Sequence, residues 1–120
     1  MPNTDPSERL FEIQARLVRV MGHPARLRIL HILHTAEGEV GVSALREELG
    51  LAKTGLSQHL SKMIAEGIVR GRKEGRYRYV RLAQPEIGRA CDLVRGALAR
   101  QARERATILG AEGATEGEEP

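Results

Sequence analysis

Six polar side chains between positions 53 and 62 carry readable chemistry. Lys53, Thr54, Ser57, Gln58, Ser61 and Lys62 come as neighbouring pairs every four residues, with Leu56, Leu60, Met63 and Ile64 between them. That spacing puts the six on one face of a helix and the apolar four on the other. The six form no nucleophile–base pair and no couple of carboxylates. They are hydrogen-bonding groups and two cations, suited to phosphates and to base edges. A Gln amide bonds adenine in bidentate fashion, a Ser hydroxyl is tolerant, and a Lys favours guanine or phosphate. His59 precedes Leu60 on the inner edge of this helix. It either packs and hydrogen-bonds within the motif, so positioning the helix, or touches phosphate.

A second set of cations follows at once. Arg72, Lys73, Arg76 and Arg78 flank Glu74-Gly75, where a tight turn between two strands needs glycine's tolerance of positive φ. A basic hairpin tip of this kind lies along a nucleic-acid backbone or in a minor groove. From Lys53 to Arg81 there are eight basic residues (Lys53, Lys62, Arg70, Arg72, Lys73, Arg76, Arg78, Arg81) against Glu66 and Glu74, a balance of +6, although the whole chain carries only +3. Glu112, Glu116, Glu118 and Glu119 are concentrated at the other end. A charge run is commonly no more than a solvated surface. Here its segregation next to the polar helix points to a polyanion, double-stranded DNA.

The elements that hold these residues follow from periodicity and punctuation. Asp5-Pro6-Ser7-Glu8 reads as a helix start, with Asp5 as cap, Pro6 at the first position and Glu8 three residues on. Leu10, Ile13, Leu17 and Val20 then mark a helix that ends at Gly22. His23-Pro24 restarts the chain, and Arg26 to Leu33 reads as a second helix that stops near Ala36. Ser43 is the expected cap of a short third helix, Ala44 to Leu49, closed by Gly50. The polar-faced helix follows Leu51-Ala52 and ends at Gly67. Strands are expected at 68–73 and 76–82. Tyr77 and Tyr79 share one phase of the second strand, Val80 and Leu82 the phase of Arg76 and Arg78, so the pattern leaves the buried face open. Pro85-Glu86 opens a last long helix with Ile87, Cys91, Val94, Leu98, Ala102 and Leu109 on its apolar stripe.

The expected fold is therefore mainly α with a small β-hairpin, in the order α-α-α-α-β-β-α. The 120 residues, with no Trp, one Phe and two Tyr, suit a single domain over 1–109 with an aliphatic core. The acidic stretch 110–120 has nothing to bury and is expected to be disordered. A short helix, a tight turn at Gly50 and a second helix followed by a basic hairpin describe a winged helix-turn-helix.

Four stretches carry a family resemblance: Gly22-His23-Pro24-Ala25-Arg26-Leu27-Arg28-Ile29-Leu30, Leu56-Ser57-Gln58-His59-Leu60, Glu66-Gly67-Ile68-Val69, and Gly75-Arg76-Tyr77-Arg78-Tyr79-Val80-Arg81-Leu82. Over residues 17–82 the chain resembles the ArsR/SmtB family of dimeric winged-helix repressors. The resemblance implies that Ser57, Gln58 and His59 lie on the recognition helix and that Arg76 lies in the wing. It also implies a homodimer through the first and last helices. A twofold dimer sets its recognition helices about one DNA turn apart on a near-palindromic operator. The implied activity is repression governed by an effector. Two positions depart from the family's pattern. Ala52 stands where the family often has Ser, which removes a cap of about 1 kcal/mol unless Thr54 substitutes. Gly55 lies inside the helix, at a loss of up to about 1 kcal/mol, and either permits close approach to the sugar-phosphate backbone or loosens the first turn.

The ligands of the family's metal sensors do not carry over. Val42 to Leu49 has no cysteine, and the last helix has Glu86, Asp92 and Glu104 but no His. No metal or other cofactor is expected. His31 and His34 read as a polar helix face, since two imidazoles are not a site without further ligands. Cys91, the single cysteine, reads as a small buried hydrophobe. The sharper alternative is a redox or reactive-sulfur sensor, activated if Arg89 and Arg95 come close enough to lower its pKa. The lone cysteine, the polar N-terminus and the lack of a long apolar run suit a cytoplasmic protein. An enzyme is not expected, because no catalytic constellation is readable. The rival to DNA binding is a winged-helix interaction module whose basic hairpin docks an acidic protein.

Overall fold

The computed structural model describes residues 5–116, with side chains up to residue 110. Five helices and three strands follow in the order α1 (Pro6–Met21), α2 (Pro24–Ala36), β1 (Val40–Gly41), α3 (Val42–Leu49), α4 (Lys53–Ala65), β2 (Val69–Glu74), β3 (Tyr77–Leu82) and α5 (Pro85–Glu116). The mainly helical fold with its basic hairpin is as expected, except that the sheet has a third strand, β1.

That strand escaped the sequence because two residues show no alternation. Val40 pairs with Val80 and Gly41 with Tyr79, so the sheet order is β1-β3-β2, antiparallel throughout. The pairing also moves the start of α3. Gly41 is held extended by its strand, and the helix begins directly after it, at Val42. Ser43 is thus inside the helix, and no side chain caps it. The hairpin turn is Gly75-Arg76 rather than Glu74-Gly75. Glu74 pairs with Tyr77, and Gly75 has φ +62°, as the first position of a two-residue hairpin loop needs.

The other punctuation holds. Asp5 accepts from the Ser7 N–H and caps α1, and Gly22 follows its last residue. At α2, His23 is the cap: its Nδ1 accepts from the Ala25 N–H, and Pro24 opens the helix. Gly50 closes α3 in the left-handed conformation, which glycine adopts without the clash a Cβ would bring.

Contacts divide the chain into two compact units, Met1–Arg89 and Ala90–Pro120. The core of the first is aliphatic. Ile29, Leu30 and Leu33 of α2 meet Leu45 and Leu49 of α3, Leu56, Leu60 and Met63 of α4, and Ile68, Val69 and Val80. The buried face of the hairpin is therefore the Val80 phase. Arg78 shares that phase but lies beyond the end of the core and stays exposed. By contrast, α1 buries none of its residues. Leu10, Phe11, Ile13 and Val18 are at least half exposed on it.

In the second unit α5 continues past Gly110, where the sequence reading ended it. Leu93, Val94, Leu98, Ile108 and Leu109 are exposed along it. The last part of the expected tail, 117–120, lies outside the described residues. Among the described residues no helix is long and apolar enough to cross a membrane.

Candidate nucleic-acid interface

The helix-turn-helix is α3, the turn Gly50–Ala52 and α4. Arg46 braces the turn: its carbonyl accepts from the N–H groups of Gly50 and Leu51, and its Nε donates to the Leu51 carbonyl at 3.3 Å. With Leu56, Leu60 and Met63 buried and α4 packed on α1, α2 and β2, the opposite face of α4 is left to solvent.

That face forms one wall of a cleft of about 870 Å³. Lys53, Thr54, Ser57, Gln58, Ser61 and Lys62 line it from α4, Ser43 and Arg46 from α3, and Arg76, Tyr77, Arg78 and Tyr79 from the wing. Eight of the eleven residues singled out in the sequence thus meet in one concavity. Arg46, Tyr77 and Tyr79 join them unannounced. Their sequence signal is slight, since a helix arginine and two strand tyrosines have many uses.

Both helices that open onto the cleft begin without a side-chain cap, α3 at Gly41 and α4 at Ala52. Thr54 does not replace the missing cap. The first N–H groups of α4 are left for another acceptor, and a helix N-terminus favours an anionic one. At Gly55 a Cβ would meet nothing within 4 Å, so packing inside the protein does not demand glycine there. Five cations, Arg46, Lys53, Lys62, Arg76 and Arg78, line the same space.

Three expected residues lie elsewhere. Lys73 is exposed on β2 and does not line the cleft. Arg72 is bound to carboxylates, with Nε 2.8 Å from Glu39 Oε2 and Nη1 2.7 Å from Glu74 Oε1. Its hydrogen bond holds the Glu39 carboxyl below the ordinary carboxylate range.

His59 faces inward, half-buried. Arg26 donates to it through Nε, 3.0 Å from Nδ1, and also through Nη1 to the Val20 carbonyl at 2.9 Å. The His23 ring meets the His59 ring edge-on at 4.7 Å. Burial, then the charges of His23, Arg26 and Lys62, push its imidazole below 6.5, so the neutral ring is favoured. The Gly22-to-Leu30 stretch thus has a structural use: His23 caps α2, and Arg26 ties α1, α2 and α4 together.

Cys91 is half-buried, and burial followed by the charge of Asp92 pushes its thiol up. Arg95 pairs with Asp92 at 2.9 Å. The shift is opposite in sign to the one that the alternative, activation by neighbouring arginines, requires. Among the described residues no group of three or more His, Cys, Asp or Glu is arranged to hold a metal ion.

Comparison with known proteins matches the helix-turn-helix domain family over residues 21–72. An HTH-type transcriptional regulator of Mycobacterium tuberculosis, Rv0081, is 33% identical over 103 residues, covering 86% of this chain and 90% of the relative. The homodimeric winged helix-turn-helix DNA-binding domain Mb0332 of Mycobacterium bovis, described as a possible ArsR-family regulator, superposes with a TM-score of 0.73 at 27% identity, over 85% of this chain and 93% of that one. The chain belongs to the ArsR family. A further similar protein, the biofilm growth-associated repressor of Xylella fastidiosa, is 32% identical over 70% of this chain and 71% of its own length. In this ArsR-family chain the second helix of the helix-turn-helix, α4, is followed directly by the β2–β3 wing.

Proposed function

We propose that this ArsR-family chain is a homodimeric cytoplasmic repressor that binds a near-palindromic operator in double-stranded DNA. Lys53, Thr54, Ser57, Gln58 and Lys62 meet DNA from α4, with Gln58 reading bases and the two lysines chiefly bonding phosphate. Lys73, Arg76 and Arg78 meet it from the wing. His59 positions α4 through Arg26. Cys91 serves packing rather than redox or sulfur sensing, in keeping with its raised thiol pKa.

The observation that carries this reading is the cleft, in which five cations from α3, α4 and the wing meet four uncharged hydrogen-bonding side chains of α4. A surface of that composition suits phosphates and base edges together. The dimer is supported by α1, which offers four apolar side chains and buries none of its residues in its own protomer, and by the homodimeric state of the M. bovis relative. We assign the dimer contact to α1 and α5.

Selection from a randomised duplex pool, followed by titration at several salt concentrations, tests the reading. It expects enrichment of a two-half-site sequence and affinity that falls steeply with salt. A protein that shifts no duplex even at low salt belongs instead to the rival class, a winged-helix module that docks an acidic protein.

A further inference from the structure

The outer face of the sheet carries Arg70, Arg72 and Glu74 of β2 opposite Arg81, Tyr79 and Tyr77 of β3. Arg72 does not point away from this face into solvent. Its guanidinium lies over the Tyr79 ring, 4.7 Å from the centroid, and reaches across β3 to Glu39. Glu39 immediately precedes Val40, whose partner is Val80, so it lies beyond the other edge of β3. There the contact is two-pronged, Nε to Oε2 at 2.8 Å and Nη2 to Oε1 at 2.9 Å. Nη1 takes Glu74 at 2.7 Å. One side chain thus spans the sheet from β2 to the residue before β1.

We propose that Arg72 is a positioning residue and not a DNA ligand: with Glu39 it straps the sheet and sets the pitch of the wing that presents Arg76 and Arg78. The inference rests on the DNA-binding reading above. Each guanidinium nitrogen already has a carboxylate partner, and although two of its five N–H groups remain, a phosphate approaching them would meet the negative charges of Glu39 and Glu74. Beneath the strap is Tyr79, which lines the cleft together with Arg76, Tyr77 and Arg78. The strap ties this part of the wing to the segment from which α3 starts, so a change in wing angle must break it. The task suits arginine, whose planar fork binds a carboxylate two-pronged while it stacks on a ring. A lysine is a point charge that can do one of these at a time.

The test turns on sign. Replacing Glu39 by a neutral residue makes the protein more positive, so charge alone predicts tighter DNA binding. The strap predicts the reverse. The probe is the duplex that the wild-type protein enriches from a randomised pool, titrated by fluorescence anisotropy over a range of KCl, with circular dichroism confirming that each variant is folded. Glu39→Gln is expected to weaken binding by about fivefold, the order of one well-formed exposed pair. Arg72→Gln is expected to weaken it similarly with an unchanged salt slope, Arg72→Lys to do no better, and the double variant to be no worse than Arg72→Gln. A Glu39→Gln protein that binds as tightly as wild type or tighter overturns the inference. So does a salt slope smaller by about 1.8 in the Arg72→Gln dimer, since that is the change expected when each protomer neutralises one phosphate fewer. Rescue by Arg72→Lys would equally assign Arg72 to phosphate. A wild-type protein that enriches no duplex overturns the DNA-binding reading itself, whereas the outcomes above overturn the strap alone.

Discussion

Arg26 Nε donates to His59 Nδ1 across 3.0 Å, tying the first turn of α2 to the middle of the recognition helix. The bond needs a neutral imidazole with a lone pair on Nδ1. A protonated ring would set an N–H against a guanidinium. The folded protein lowers the imidazole below 6.5, so the unfolded chain takes the proton first as the pH drops. Stability is then full above 6.5 and declines as the pH falls through that value towards the folded one. Melting temperatures of wild type and His59→Gln, followed from neutral to mildly acidic pH, should diverge on the acid side, with wild type losing more. Parallel curves would clear His59 of the effect.

Gln58 and Arg76 occupy the same cleft from opposite walls and should fail differently. Gln58→Ala removes the side chain proposed to read bases, so it should relax preference at one position per half-site, by about 1–3 kcal/mol of discrimination. Arg76→Ala removes a cation at the hairpin tip. It should weaken binding to every sequence alike and lower the salt slope by about 1.8 per dimer. Quantitative selection with each variant separates the two. If Gln58→Ala kept the wild-type preference, α4 would be turned differently in its groove.

Much of this was legible because it is local. The Leu56-Leu60-Met63 stripe places the face of α4, and Gly50 and Gly75 mark their turns to within a residue. What escaped depends on pairs distant in sequence. Arg72 reads as one more wing cation until Glu39, thirty-three residues earlier, is seen to hold it. His59 has the same ambiguity until Arg26 faces it from an equal separation. Strand β1 is too short for any period, and without it the start of α3 falls two residues late. The phase of β3 was open because Arg78 and Val80 alternate on one face, and the end of the core, not the pattern, decides which is buried.

Among the described glycines, Gly88 leaves the least room for a side chain. A Cβ there would come within 2.7 Å of Leu82 Cδ1 and 2.9 Å of both Cβ and Nδ1 of His34. Gly88→Ala therefore has to push the first turn of α5 off α2 and β3. Helix propensity favours alanine, but overpacking outweighs it by about 1–3 kcal/mol. A lowered melting temperature is the expected result. An unchanged or raised one would mean that His34 yields without strain.

At Cys91, burial and Asp92 keep the thiol protonated at neutral pH. Only the thiolate is a good nucleophile. Iodoacetamide should label the folded protein more slowly than it labels free cysteine, and mild peroxide should leave DNA affinity unchanged. Rapid sulfenic acid formation with loss of binding would restore the sensor reading.

The bare helix α1 also bears on how the protein responds to its own abundance. Leu10, Phe11, Ile13 and Val18 are at least half exposed in the protomer, so in the proposed dimer part of what they contribute to stability comes by mass action from a second copy. The melting temperature should climb as the protein is concentrated, and dilution should loosen α1 before the core of α2, α3 and α4. Arg16 of α1 is paired with Glu66 at the end of α4, 2.8 Å apart, so loss of α1's footing would be felt at the recognition helix. The amount of protein present then becomes an input to its occupancy of DNA, separate from any small molecule.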